Sequence, residues 1–257
     1  MNPDLAIVVS SFDGMDDLWR PFWQLFRRYW PDCPYEKYII SNHKVCRVEG
    51  IEVRTIAVGD DKGWARNLMV ALESIPQQYV LYLQEDYLLS APVDTARIKR
   101  IFELTLEKQA NLTYLFPRLQ SSDVLPGQLV DIRELAGDGL YRINLQAAVW
   151  KKSYFLETIR ADESQWQFEL RASNEPSRSI YFESLGALDK PESWSLPYFC
   201  TAIVRGKWVP DAMRLCERNS IAVDMRRRSV HRYWALRRLG AKVKWYWKWG
   251  FRKAYEA

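Results

Sequence analysis

The chain is poor in the residues that would make several function classes easy to assign. It holds four cysteines, Cys33, Cys46, Cys200 and Cys216, with no CxxC pair and no zinc-finger spacing. A disulfide framework and a structural zinc site are therefore not expected, and the four read as reduced core thiols. Only two histidines occur, His43 and His231, and neither sits in a motif that makes a case for catalysis. No apolar run approaches the ~18 residues needed to span a bilayer, so any membrane contact is expected to be peripheral. The opening residues, MNPDLAIVVSSFDG, lack a charged segment followed by an apolar one, so a secretory signal is not expected and a cytoplasmic location is. There is no internal repeat and no low-complexity tract.

What is present is apolar and aromatic. Of 257 residues, 48% are hydrophobic, with 12 Trp and 14 Tyr. That is enough for one large α/β domain with a small appendage, and too much for wholesale disorder. The net charge of +5 is unevenly spread. Residues 224–257 hold eleven Lys or Arg against Asp224 and Glu256, which is +9, so residues 1–223 carry −4 by difference. The expected division is a main domain over 1–223 and a basic amphipathic tail over 224–257.

Short β-branched runs alternate with helical stretches through the first half, the pattern of βαβ units and a mostly parallel sheet. Strands are expected at Leu5–Ser11, Lys37–Ser41, Ile51–Val58, Tyr79–Leu83 and Leu112–Phe116. Helices are expected from Asp16 and Asp17, which supply a cap and negative charge, over Gly63–Ser74, over Asp94–Gln109, and near Ser153–Arg160 and Trp166–Ala172. Glycines and a proline mark loops across 117–139, and Leu140–Trp150 reads as extended.

The most informative stretch is Gly59 to Leu89, GDDKGWARNLMVALESIPQQYVLYLQEDYLL. A polar loop and a helix lead into an apolar strand that stops at two carboxylates, Glu85 and Asp86. In open α/β sheets ligands sit at the carboxyl ends of the strands. Acidic groups there suit a divalent cation that leaves positions open to a diphosphate. Lys62 and Arg66 are placed to meet phosphate, and Asp61 is either a donor ligand or a helix cap. Asp13, after Ser10 and Ser11, reads equally as a hydrogen-bond acceptor for ribose or base and as a turn residue before Gly14.

On Ala65-Arg66-Asn67 and Gln84-Glu85-Asp86 the chain resembles the nucleotide-binding half of the GT-A glycosyltransferase fold, over roughly residues 5–170. The second of these motifs stands where that fold carries its acidic DXD motif, with Gln84 in the first acidic position. A further stretch, Leu145-Gln146 to Trp150 followed by Ser164-Gln165-Trp166-Gln167-Phe168-Glu169, resembles bacterial polysaccharide and lipopolysaccharide glycosyltransferases of this type. The resemblance implies a GT-A-like (Rossmann-like), mostly parallel sheet flanked by helices. It implies donor-binding residues Ser10, Ser11, Asp13, Asp61, Lys62, Arg66, Glu85 and Asp86, and Mn²⁺ or Mg²⁺ on Asp86 and Glu85 with His231 as a third ligand. Trp150 and Trp166 would wall the acceptor, and Glu169 would be the general base, a role worth about 10²–10⁴-fold in rate. Helix acids and core tryptophans are the ordinary alternatives for these residues.

In the tail, Leu236, Leu239, Val243, Tyr246 and Trp247 share one helical face opposite Arg237, Lys244, Lys248 and Arg252, a pattern that fits an anionic membrane surface. The expected partners are thus a nucleotide sugar, a glycan or lipid-linked acceptor and the inner membrane face. Two other classes remain open. A nucleotidyltransferase favours a glycine-rich phosphate loop, which Ser10–Gly14 is not. A non-catalytic membrane- or nucleic-acid-binding module would use the tail, although no RRM- or KH-like motif is present and nucleic acid is not expected.

Overall fold

The computed structural model describes residues 4–115, 132–135, 142–175, 180–183, 194–199 and 201–232. The chain divides into two compact units, Met1–Cys200 and Thr201–Ala257. The expected tail helix from Leu236 onward, Cys200 and most of the 117–139 loop lie outside the described residues.

The first unit is built on β1 (Leu5–Ser10), β2 (Glu36–Ser41), β3 (Arg54–Ala57) and β4 (Tyr79–Gln84). All six β1 residues are buried, which is why LAIVVS reads as a continuous apolar run rather than an alternating one. β1 lies parallel between β2 and β4, and β2 pairs parallel with β3. The connection from β1 to β2 is α1 (Asp16–Tyr29), which buries Leu18, Trp19, Phe22, Trp23, Leu25 and Phe26 at the spacing of one helical face. α2 (Trp64–Ser74) links β3 to β4.

One detail at the first helix differs from expectation. The N-cap is Met15, with no side-chain cap bond, and Asp16 and Asp17 lie in the first turn. They complement the helix dipole instead of capping it, while Asp16 also pairs with Lys44 at 2.5 Å.

Beyond β4 come β5 (Leu88–Leu89), α3 (Thr95–Glu107), β6 (Leu112–Tyr114), β7 (Ile132–Glu134), β8 (Ala148–Lys151), α4 (Lys152–Thr158), α5 (Gln165–Ser173), β9 (Ile180–Glu183) and β10 (Tyr198–Phe199). Asp94 caps α3 by accepting the Arg97 N–H at 3.1 Å. The main sheet runs β3-β2-β1-β4-β8-β6-β9-β7. β8 is antiparallel to both β4 and β6, and β7 is antiparallel to β9. The sheet is therefore mostly parallel and flanked by helices, as the sequence pattern implied. The reversal at β8 has a consequence for the site. With Tyr82 opposite Ala148, residues 142–147 arrive beside the carboxyl end of β4.

Trp150 anchors the core between sheet and helices. Its ring stacks on Phe155 at 4.0 Å and meets Phe168 at 6.3 Å. Tyr82 packs edge-on against Phe155. Each such burial contributes roughly 1.5–3 kcal/mol.

In the second unit, β11 (Ile203–Val204) and β12 (Lys207–Trp208) form a hairpin. Its two turn residues, Arg205 and Gly206, have φ of 52° and 72°, the left-handed pair that a two-residue hairpin turn requires. α6 (Pro210–Arg218) starts with proline in its first turn, where no N–H is needed. Trp208 also bridges Val230, and its carbonyl accepts the His231 N–H at 2.9 Å.

Candidate active site

The parallel strands end level with one another, Ser10 opposite Gln84 and Ser41 opposite Ala57. Asp13 stitches this edge together. Its carboxylate accepts the backbone N–H groups of Asn42 at 2.9 Å, His43 at 3.1 Å and Lys44 at 3.2 Å. Desolvation pushes its pKa up, but the N–H donors of Lys44, His43 and Asn42 outweigh it together and hold the carboxyl below its ordinary value. Asn42 returns a bond to the Asp13 N–H and donates to the Gly59 carbonyl at 3.0 Å, so three strand ends are tied. Asp13 thus does more than make a turn; its oxygens hold the β2 loop to the end of β1.

Ser10 and Ser11 are both buried, at 7% and 8% exposure. The Ser11 hydroxyl accepts the Trp19 indole N–H at 2.7 Å. Ser11 keeps its own O–H to donate. Phe12 between them and Asp13 is 42% exposed. A Cβ on Gly14 would lie 2.4 Å from the Phe12 ring, so glycine at that position leaves room for the ring. Phe12 carried a signal in the sequence, an aromatic directly after a buried strand, that residue-type reasoning about polar ligands passes over.

The loop before α2 is built by the asparagine of the Ala65-Arg66-Asn67 motif. The Asn67 amide donates to Asp61 at 2.8 Å and accepts the Lys62 N–H at 3.2 Å, while Asp61 also accepts the Gly63 N–H at 3.0 Å. Gly63, with φ of 89°, takes a conformation open to glycine at little cost. Asp61 therefore shapes the loop that presents Lys62. Arg66 is half-exposed and makes a 2.7 Å ion pair with Asp162. A surface pair of this kind is weak enough to be exchanged for a phosphate.

Glu85 is buried, at 8% exposure, and Asp86 is half-buried, in a turn closed by the Tyr87 N–H on the Gln84 carbonyl at 3.0 Å. Glu169 comes from α5, whose start is fixed by a full capping box of Ser164 and Gln167. Its Oε1 accepts the Leu145 N–H at 2.8 Å. The Leu145 carbonyl in turn accepts the Tyr87 hydroxyl at 3.1 Å. One residue, Leu145, thus stands between the acidic turn and Glu169 and ties the two together. Desolvation raises the Glu169 pKa above its ordinary value, against the lowering effect of the Leu145 N–H. That is the direction a carboxylate needs to act as a base near neutral pH.

The other expected site residues are Trp150, Trp166 and His231. Trp150 is completely buried with its ring inside the aromatic core, so it offers no face to an acceptor and its role is packing. Trp166 is 64% exposed at the start of α5, one helical turn from Glu169. His231 lies in the second unit. Among the described residues, no group of three or more His, Cys, Asp or Glu side chains is placed to hold a metal ion. Burial pushes the Cys33, Cys46 and Cys216 thiols up to about 11, so none of these three is a thiolate nucleophile at neutral pH.

No protein-family model and no curated protein matches the sequence. Among solved structures, the chain is similar to S. aureus TarS 1–349, at 11% identity and a TM-score of 0.47, over 86% of this chain and 66% of that one. The chain spans only 37% of a longer TarS structure, and TarS 1–349 is also solved with UDP-GlcNAc and with UDP. It is similar to the galactosyltransferase LgtC in complex with donor and acceptor sugar analogues, at 14% identity and a TM-score of 0.42, over 65% and 69% of the two chains. It is also similar to CMP:2-keto-3-deoxy-manno-octonic acid synthetase with CTP, at 9% identity and a TM-score of 0.45, over 70% and 88%.

Proposed function

We propose that this chain is a glycosyltransferase that moves a sugar from a nucleoside-diphosphate sugar to a glycan or lipid-linked acceptor. The observation that carries the reading is the convergence of the Glu85-Asp86 turn and the desolvated Glu169 on the two sides of Leu145. Glu169 takes the proton of the acceptor hydroxyl as that oxygen bonds to the anomeric carbon. The bond from that carbon to the diphosphate breaks, and the charge leaving with the nucleotide falls to Lys62 and Arg66. Phe12 lies beside the nucleotide base, and Trp166 offers its exposed face to the acceptor ring.

Glu85 and Asp86 supply oxygen donors at a strand end. Two carboxylates completed by substrate phosphates are a donor set that Mg²⁺ or Mn²⁺ accepts. Such an ion, when bound, neutralises the diphosphate. In the sequence the second unit, 201–257, carries fifteen Lys or Arg against four acids, a net +11 that leaves −6 on residues 1–200. Each basic group near an anionic bilayer contributes about 1 kcal/mol, which supports a peripheral site of action on the inner membrane face.

The deciding experiment is thermal unfolding of the full chain with a panel of nucleotides, each with and without Mn²⁺ or Mg²⁺. At ~100 times its dissociation constant a specific nucleotide adds roughly 2.7 kcal/mol. The expected result is stabilisation by one nucleoside diphosphate that needs metal and is lost in Asp86→Ala. Stabilisation indifferent to metal keeps the transferase and removes the metal site. Selective stabilisation by CTP points to a nucleotidyltransferase instead, and no stabilisation by any nucleotide refutes both.

A further inference from the structure

Among the described residues Glu169 accepts one hydrogen bond, from the Leu145 N–H, and Leu145 is itself held from the opposite side. Residues 145–147 precede β8 without regular structure of their own. The Leu145 N–H goes to Glu169 at 2.8 Å and the Leu145 carbonyl takes the Tyr87 hydroxyl at 3.1 Å. The Gln146 side chain donates to Tyr87 at 3.3 Å and accepts from the Tyr198 hydroxyl at 2.7 Å. The Ala147 N–H reaches Tyr198 at 3.3 Å. The two tyrosine rings stack at 5.0 Å, and both are buried. Tyr87 hydrogen-bonds Leu145, the residue that hydrogen-bonds Glu169, and Tyr87 directly follows Asp86.

We propose that Tyr87 is a positioning residue, which fixes Glu169 through Leu145 and so couples the acidic turn at the end of β4 to the general base. The proposal rests on the reading of Glu169 as that base. The Gln146 amide fills a lone pair of the Tyr87 oxygen and leaves its O–H aimed at the Leu145 carbonyl. With the carbonyl fixed, the backbone of Leu145 holds its N–H on the Glu169 oxygen. Movement of residues 85–86 on a diphosphate is transmitted by the rigid Tyr87 ring to Leu145 and from there to the carboxylate. A displacement of ~1 Å in a catalytic group is enough to cost about 10²-fold in rate, so a link this short matters to the chemistry.

The test is the amide proton of Leu145 in the ¹⁵N-leucine-labelled full chain, with its peak assigned by Leu145→Met. Bonding to a carboxylate moves that proton downfield in the wild type, and Glu169→Gln shifts it back upfield. Tyr87→Phe, which keeps the ring and its stacking, is expected to shift it in the same direction. Tyr198→Phe removes the hydroxyl on the other side of the hub, which reaches Leu145 only through Gln146 and Ala147, and is expected to shift it less. The proposal is overturned if Tyr87→Phe leaves the Leu145 proton where the wild type has it, or if Tyr198→Phe moves it equally. Should Tyr87→Phe fail to fold, Gln146→Met decides by the same two outcomes, since it removes the group that orients the Tyr87 hydroxyl. A Glu169→Gln enzyme with undiminished nucleotide release would sink the base assignment, while the Leu145 shift would still report on the contact itself.

Discussion

Replacing Glu163 with glutamine tests whether α5 is held in place by charge. Glu163 and Arg171 are 12% and 18% exposed, and the guanidinium meets both carboxylate oxygens, through Nε and through Nη2, the latter at 2.7 Å. The same guanidinium reaches Glu175 at 2.6 Å and the Thr158 carbonyl at 2.6 Å. Arg171 thereby closes the 159–164 loop, which carries Asp162 to Arg66 and starts the helix bearing Glu169. Breaking a buried pair by removing one partner costs about 3–5 kcal/mol. Here Arg171 keeps Glu175 and the Thr158 carbonyl, so roughly 2–3 kcal/mol is the working figure. For a chain of this size that is a fall in Tm of about 5–10 °C. The pH dependence adds a second check. Desolvation raises the Glu163 pKa, but the bonds and charge of Arg171 more than offset it and hold the group below its ordinary value. A depressed carboxylate stabilises above its unfolded pKa, and the contribution is lost as pH falls through the folded value. The gap in Tm between wild type and Glu163→Gln should therefore be full at pH 7 and close progressively below about pH 4. A gap that is constant from pH 7 to pH 3, or smaller than 1 °C at pH 7 (about 0.3 kcal/mol), would refute the reasoning.

Glu169→Gln should lower nucleotide release by about 10²–10⁴-fold while nucleotide-dependent thermal stabilisation persists. In the wild type the rate should rise with pH through an inflection above the ordinary glutamate value, because the raised pKa delays formation of the active carboxylate, and the variant should lack that inflection. The two tryptophans of the acceptor-like motif should separate cleanly. Trp150→Ala removes a fully buried ring and should cost about 3–5 kcal/mol in denaturant unfolding. Trp166→Ala, on an exposed ring, should change stability by less than about 0.5 kcal/mol and raise the acceptor concentration needed for half-maximal rate.

How much of this was legible in the sequence depends on the range over which each interaction acts. β1, β4 and α2 were readable within a residue or two, because continuous burial and helical periodicity are local patterns that one segment displays alone. The acidic turn was readable too, since Glu85 and Asp86 interrupt an apolar run and a strand end is where such an interruption lands. Asp13 was not. Its partners at 42–44 lie 29 to 31 residues away, and nothing in Ser-Phe-Asp-Gly distinguishes an acceptor for a ligand from an acceptor for a neighbouring loop. Trp150 and Trp166 show the same limit from the other side. Both belong to one resemblance, yet the first sits on a central strand where Phe155 and Phe168 cover its ring, while the capping box of α5 leaves the second in its exposed first turn. Tyr87 was hidden most completely, because a tyrosine after an acidic pair looks like ordinary strand composition. Its role comes only from the reversal at β8, which no local period announces, and which carries Leu145 back to the end of β4. The residues that bind charge could be named from their types, whereas those that hold a charged group in place are decided by which distant backbone arrives beside them.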